Sequence, residues 1–164
     1  MAKRKRGDEM SIDTLERTLG EHPFFKDLSE PHLALLTGCA ANVVFKAGSF
    51  IMREGAPADR FYVLRHGSVG LEISVPAGGP VTIETLKEGD VLGWSWLFPP
   101  YKAHFDARAL TLVRALSLDG ACLRQKCETD TALGYEFVRR FAGMAVTRLE
   151  AARLQFLDLY GQSR

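Results

Sequence analysis

Asp59-Arg60-Phe61-Tyr62-Val63-Leu64-Arg65-His66-Gly67-Ser68-Val69 is the stretch on which the fold turns. Residues 60–64 form a β-prone run in which Phe61 to Leu64 are aromatic or branched, and Gly67 stops that run before a second begins at 69–75. Runs this short, bounded by turn residues, read as strands rather than helices. The same punctuation continues in both directions. Glycines recur at 48, 55, 67, 70, 78, 79, 89 and 93, and between them lie further β-prone runs at 43–45, 50–52 and 81–86. Two more follow at 105–110 and 111–118. Ala77-Gly78-Gly79-Pro80 reads as a hairpin turn between alternating strands. Together these runs predict an all-β sandwich, barrel or jelly roll from Asn42 to about Leu118.

Helices flank this region. A short one is expected over 11–19 with Ser11 as N-cap, ended by His22-Pro23. A second, capped by Ser29, should bury Leu33, Leu35 and Leu36 and end near Gly38. Downstream, Asp119 caps a short helix reaching Cys127, and Asp130 or Thr129 caps a long one over about 132–160. Along the long helix Leu133, Phe137, Phe141, Ala145, Leu149, Ala152, Phe156 and Leu159 form one stripe, with spacings of 4, 4, 4, 4, 3, 4 and 3. The final part is a heptad-like seam, which pairs helices. Roughly thirty residues of helix reach ~45 Å, more than a small barrel needs for cover. Phe141, Ala145, Leu149, Ala152 and Phe156 are therefore expected to face a second copy of the chain. The organisation reads as a basic tail (1–10), helices with a β-roll (11–128), and a dimer helix with its own tail (129–164).

Composition narrows the function. Of 164 residues, 46% are hydrophobic and 25% charged, ordinary for a globular domain. Lys and Arg number 21 against 20 Asp and Glu, so the net charge of +1 gives no general attraction to DNA or anionic membranes. Lys3, Arg4, Lys5 and Arg6 are the one concentrated charge and read as a solvated, disordered end. No apolar segment follows them to make a signal peptide, and no run is long enough to span a bilayer. Cys39, Cys122 and Cys127 are odd in number and contain no CxxC, so free thiols in a reducing cytoplasm are expected. No metal is expected either. A β-roll enzyme of the cupin type needs a His-x-His…Glu…His set, and His22, His32, His66 and His104 are scattered. With no nucleophile–base set in view, the reading is non-enzymatic.

Three motifs carry a resemblance. Phe45-Lys46-Ala47-Gly48-Ser49-Phe50-Ile51-Met52-Arg53-Glu54-Gly55, the stretch from Asp59 to Val69, and Glu88-Gly89-Asp90-Val91-Leu92-Gly93 are similar to the cyclic nucleotide-binding domain family, which includes the catabolite activator protein. The resemblance covers about residues 22–160. It implies a mainly β architecture with flanking helices: a double-stranded β-helix, or jelly roll, plus a long C-terminal dimerisation helix. It also implies a nucleotide cavity within the roll. A short helix after Gly93 would present backbone N–H groups to the cyclic phosphate.

The candidate pocket is Gly93, Trp94, Ser95, Trp96, Leu97, Lys102, Ala103 and Phe105, and it departs from the family pattern. The family places Glu after the cassette glycine, to hold the ribose hydroxyl, and an Arg about nine residues further on, to neutralise the phosphate. Here Trp94 and Ala103 take those places, and Trp96 stands where a small residue is expected. Trp offers a donor where a hydroxyl needs an acceptor, and a buried phosphate without a cation is costly. Strand alternation puts Ala103, Phe105, Ala107 and Ala109 on the pocket face and His104, Asp106 and Arg108 on the outer one. Phe105 and both tryptophans are then expected to fill part of the cavity.

Family members that bind cyclic AMP read its base with hydroxyls on the dimer helix. Ala152 and Arg153 stand at that turn, with Thr147 a turn earlier. Only a few residues follow the helix, so the family's helix-turn-helix, and DNA binding through it, is not expected. The sequence therefore reads as a cytoplasmic sensor domain of regulatory type, homodimeric, acting on an effector protein away from any membrane. No cofactor is expected, and cyclic AMP is not bound in the usual way. The alternative is a genuine cyclic nucleotide receptor using Lys102 or Arg108 for the phosphate, regulating a partner protein or transcription.

Overall fold

A computed structural model describes residues 12–161, so the basic tail and the Ser11 cap lie outside the described residues. The described chain begins with α1 (Ile12–Glu21), a 3-10 turn (Pro23–Phe25) and α2 (Glu30–Thr37). Eight strands follow: β1 (Ala40–Phe45), β2 (Phe50–Met52), β3 (Arg60–His66), β4 (Val69–Val75), β5 (Gly79–Leu86), β6 (Val91–Leu92), β7 (Asp106–Ala109) and β8 (Val113–Asp119). Helices α3 (Gly120–Thr129) and α4 (Thr131–Gly161) end it. The strands form two antiparallel four-stranded sheets, ordered β1-β8-β3-β6 and β2-β7-β4-β5. The expected mainly β roll with flanking helices is what the chain forms. Sequence periodicity missed β6, which is only two residues long and is held by pairing with Tyr62 and Val63.

The roll has two cores on opposite faces of the first sheet. Inside it, Leu64, Val69, Leu71, Leu86, Leu92, Ala107, Ala109, Val113 and Ala115 are buried, with Ile51, Met52, Tyr62 and Phe105 packed against them. On the other face of β3 and β8, Phe61 lies across from Leu118 and Val63 from Leu116, all fully or almost fully buried. Phe24 and Phe25 cover them, with Phe24 edge-on to Phe25 at 5.1 Å and 5.3 Å from Phe61. Leu19 and Leu36 of the first helices are also fully buried. Aromatic pairs at these separations add to simple area burial.

His22 explains how the chain turns from α1 into this second core. Its Nδ1 accepts from Phe24 N–H and its Nε2 contacts the Leu64 carbonyl, each at 3.2 Å. The neutral ring satisfies both, with the proton on Nε2. Burial is the main cause that lowers its pKa below 6.5, against the raising effect of the Leu64 hydrogen bond. Below pH 6.5 the unfolded chain takes up a proton that the folded ring resists, so stability is full above that pH and falls as the pH drops. The midpoint of thermal unfolding should fall between about pH 7 and 5, and His22→Gln should flatten that slope. An unchanged slope would exclude His22 as its source.

The chain divides into two compact units with the boundary after Lys126. In the second, α4 runs from Thr131 to Gly161, and Asp130 caps it by accepting from Leu133 N–H at 3.2 Å. Leu133, Phe137 and Phe141 are buried, and the rings of Phe137 and Phe141 stack at 6.1 Å. Phe141, expected to face a partner, is thus only 3% exposed within the single chain. Ala145 is half-buried, whereas Leu149, Ala152 and Phe156 are open. Spacings of four drift about 40° per step at 3.6 residues per turn, so the stripe winds around the helix between Leu133 and Leu149.

Candidate functional site

The cassette starts at Gly93, directly after β6. Its φ is +87°, and a Cβ there would meet the Arg60 carbonyl oxygen at 2.9 Å and Met52 Cε at 3.0 Å, so only glycine fits. Past it the chain makes turns, not a helix: Leu97 N–H donates to Trp94 O at 3.1 Å and Tyr101 N–H to Phe98 O at 2.9 Å. The short helix implied by the family resemblance is absent between Gly93 and β7. Pro99 and Pro100 lack the N–H donors a helix needs and hold their predecessors in extended backbone. The bond between them is cis, and Tyr101 has φ +56°.

The two tryptophans part company. Trp96 is fully buried, but not inside the roll. Its ring lies 6.1 Å from Phe61, on the helix-covered face of β3. The expectation that it fills the nucleotide cavity is corrected, because the turn after Gly93 swings residue 96 across the sheet edge. Gly120 makes room for it, since a Cβ there would lie 2.9 Å from Trp96 Cβ. The Arg124 guanidinium of α3 donates to Trp96 O at 2.6 Å and covers the Tyr101 ring at 4.3 Å. Sequence reasoning did not single out Arg124. Trp94 is half-buried, and its Nε1–H finds no hydrogen-bond partner among the described residues. Ser95 is buried, Leu97 half-buried and Phe98 half-exposed.

Ala103, where the family resemblance would put an arginine, is 4% exposed. Its N–H donates to Ala56 O at 3.0 Å and its carbonyl accepts from Gly55 N–H at 2.8 Å, which ties the cassette to the β2–β3 loop. Lys102, one residue earlier, is exposed and bridges to Pro57 through the backbone. In β7, Ala107 and Ala109 are fully buried in the roll core. Phe105 lies just outside the strand and packs on that core. Arg108 turns outward to Glu72 at 3.1 Å, and Asp106 accepts from Glu54 N–H at 2.8 Å and pairs with Arg53 at 3.3 Å. Both guanidinium groups lie over the Phe50 ring, at 3.9 Å for Arg53 and 4.5 Å for Arg108. The charge ladder therefore lies on the face of β7 away from the roll core, with both carboxylates nearly buried, and it is self-neutralised.

One open space lies beside β2 and the start of β3. It is a hollow of about 320 Å³, whose lining includes Phe50, Met52, Arg53, Asp59, Arg60 and Tyr62. Burial pushes the Tyr62 phenol above its usual range. His22, His32, His66 and His104 do not converge, and no group of three His, Cys, Asp or Glu side chains able to hold a metal forms among the described residues. No described helix is long and apolar enough to cross a membrane.

The cysteines overturn the expectation of free thiols. Cys39 and Cys122 form a disulfide, and Cys127 alone is free. An odd count hid this, because the pair lies 83 positions apart and only the fold brings it together.

Comparison with known proteins agrees with the fold. The cyclic nucleotide-binding domain profile matches residues 42–130. A CRP-like cAMP-activated global transcriptional regulator of Mycobacterium tuberculosis is 26% identical over 149 residues, covering 90% of this chain and 66% of the relative. This chain thus spans just under two thirds of that regulator's length. A cAMP-dependent protein kinase regulatory subunit of Dictyostelium discoideum is 28% identical over 111 residues, 68% of this chain and 34% of the relative. Among solved structures, a cyclic nucleotide-binding-type protein from Geobacter metallireducens GS-15 superposes with a TM-score of 0.73 at 29% identity, covering 85% of this chain and 98% of its own. With the two-sheet roll, the glycine-led cassette and a profile match over more than half its length, this chain belongs to the cyclic nucleotide-binding domain family.

Proposed function

We propose that this chain is a non-enzymatic regulatory domain of the cytoplasm that does not take cyclic AMP or cyclic GMP in the family's usual way and acts through protein contacts. The observation that carries this reading is Ala103. It is a buried methyl group where the family resemblance puts the phosphate-neutralising arginine. Neither substitute cation supports the receptor alternative. Arg108 is on the outer face with Glu72, and Lys102 is exposed beside Pro57. The turns after Gly93 also offer no helix N-terminus for an anion, and Trp94 supplies a donor where the ribose hydroxyl needs an acceptor.

The regulatory character is supported by the relatives, which are a transcriptional regulator and a kinase regulatory subunit. A homodimer is part of this proposal. It rests on the open apolar side of α4, where Leu149 is 52% and Phe156 59% exposed. Calorimetry on the full chain should give no binding heat with cyclic AMP or cyclic GMP up to about millimolar concentration, an affinity no better than ~4 kcal/mol. Micromolar binding of either would overturn the reading. Loss of that binding in Lys102→Ala or Arg108→Ala would then assign the phosphate to the altered side chain.

A further inference from the structure

We propose that Cys39 and Cys122 are a redox-sensitive pair that fastens the first turn of α3 to the start of β1, made and broken by exchange with a small-molecule thiol–disulfide couple such as glutathione. The inference is independent of whether the roll binds a nucleotide.

The backbone holds the two cysteines together whether or not they are bonded. Cys39 O accepts from Asp119 N–H at 2.9 Å, and Asp119 Oδ1 accepts from Cys122 N–H at 2.8 Å. Next to Cys39, Ala40 pairs with Leu118 in the β1–β8 ladder. The Cα atoms are 5.9 Å apart, inside the range a disulfide spans without backbone movement. The reduced thiols thus stay neighbours, and closing the bond needs no long-range search.

Exposure gives the pair an order of reaction. Cys122 is in the first turn of a ten-residue helix and is partly exposed, whereas Cys39 is 7% exposed. Lys126 is one turn further along α3, and its Nζ lies 3.6 Å from where a Cβ on Gly38, the neighbour of Cys39, would be. A helix N-terminus favours a thiolate, the Asp119 carboxylate on the Cys122 N–H opposes it, and exposure therefore sets the order. Cys127 differs: burial first, then Asp130 and Glu128, push its thiol up to about 11, so it stays protonated and does not compete.

The exchange balances. The Cys122 thiolate attacks one sulfur of a glutathione-type disulfide, forms a mixed disulfide and releases one small thiolate, which takes up a proton. Cys39 then loses its proton and attacks Cys122 Sγ, releasing the second small thiol. Two electrons leave the protein thiols and reduce the external disulfide to two thiols; excess small thiol runs the steps backward. Oxidation pins the start of α3 to β1, and reduction leaves the hydrogen bonds through Asp119 as the remaining hold, so brief local openings become more frequent.

The test equilibrates the full chain in glutathione buffers of graded ratio, quenches with acid and maps thiols by maleimide labelling and peptide mass. Two thiols should disappear together, as a Cys39–Cys122 peptide, while Cys127 labels throughout. Cys39→Ser should trap glutathione on Cys122, and Cys122→Ser should leave Cys39 unmodified. Amide exchange over residues 120–126 should speed about tenfold on reduction. A bond that resists millimolar dithiothreitol in the native protein, pairing through Cys127, or exchange unchanged by reduction would each overturn the proposal.

Discussion

Trp96→Ala should cost about 3–5 kcal/mol of folding stability, the range for emptying a buried large aromatic. The indole is fully buried against Phe61, with its backbone carbonyl clamped by Arg124 and Gly120 flattened against its Cβ. Removing it leaves a hole beside Phe61 on the helix-covered face of β3. Thermal unfolding should shift down by about 10 °C, since each kcal/mol moves a domain of this size by a few degrees. Trp94→Ala should cost much less, because that ring is half-exposed and its N–H leaves no bond behind. The contrast separates a fully buried tryptophan from a half-buried one. A shift below about 3 °C for Trp96→Ala would mean that its cavity collapses, and with it the second-core assignment.

That assignment also marks where the sequence stopped being legible. Glycine-bounded β runs set the roll, because turns that need positive φ and strands that alternate leave a local trace. The hairpin at Gly79, with φ +76°, and the caps Asp119 and Asp130 were readable for the same reason. The inward face of β7 followed from period two alone. Trp96 did not, because alternation carries no information through a loop that turns at Gly93 and again at Pro99-Pro100. The pairing of Arg108 with Glu72 and of Arg53 with Asp106 depends on strand order, which joins β7 to both β4 and β2. Arg124 contacts a carbonyl 28 positions away. A disulfide 83 positions long is of the same kind.

The long helix yields the second large effect: Leu149→Glu combined with Phe156→Glu should convert a dimer into a monomer of 18.2 kDa in sedimentation. Val146, Leu149, Arg153, Phe156 and Tyr160 follow a 3,4,3,4 pattern, and the four apolar members are 52–66% exposed. A seam of that period pairs helices, and in the proposed homodimer its partner is the same seam of a second copy. Burying one Leu or Phe contributes about 1.5–3 kcal/mol. Two per chain, doubled by the symmetry of the pair, make ~6 kcal/mol or more. At the micromolar concentrations of such an experiment, that loss weakens association by at least about ten-thousandfold. Helical content should not change, since both side chains already face water in the single chain. Phe141→Ala provides the counter-case. Its ring is 3% exposed and stacks on Phe137, so it should lower the unfolding temperature without splitting the dimer. If the unmodified chain sediments as a monomer at tens of micromolar, the seam belongs to another partner. If Phe141→Ala dissociates a dimer while the double glutamate variant does not, the pairing face runs through the other side of α4.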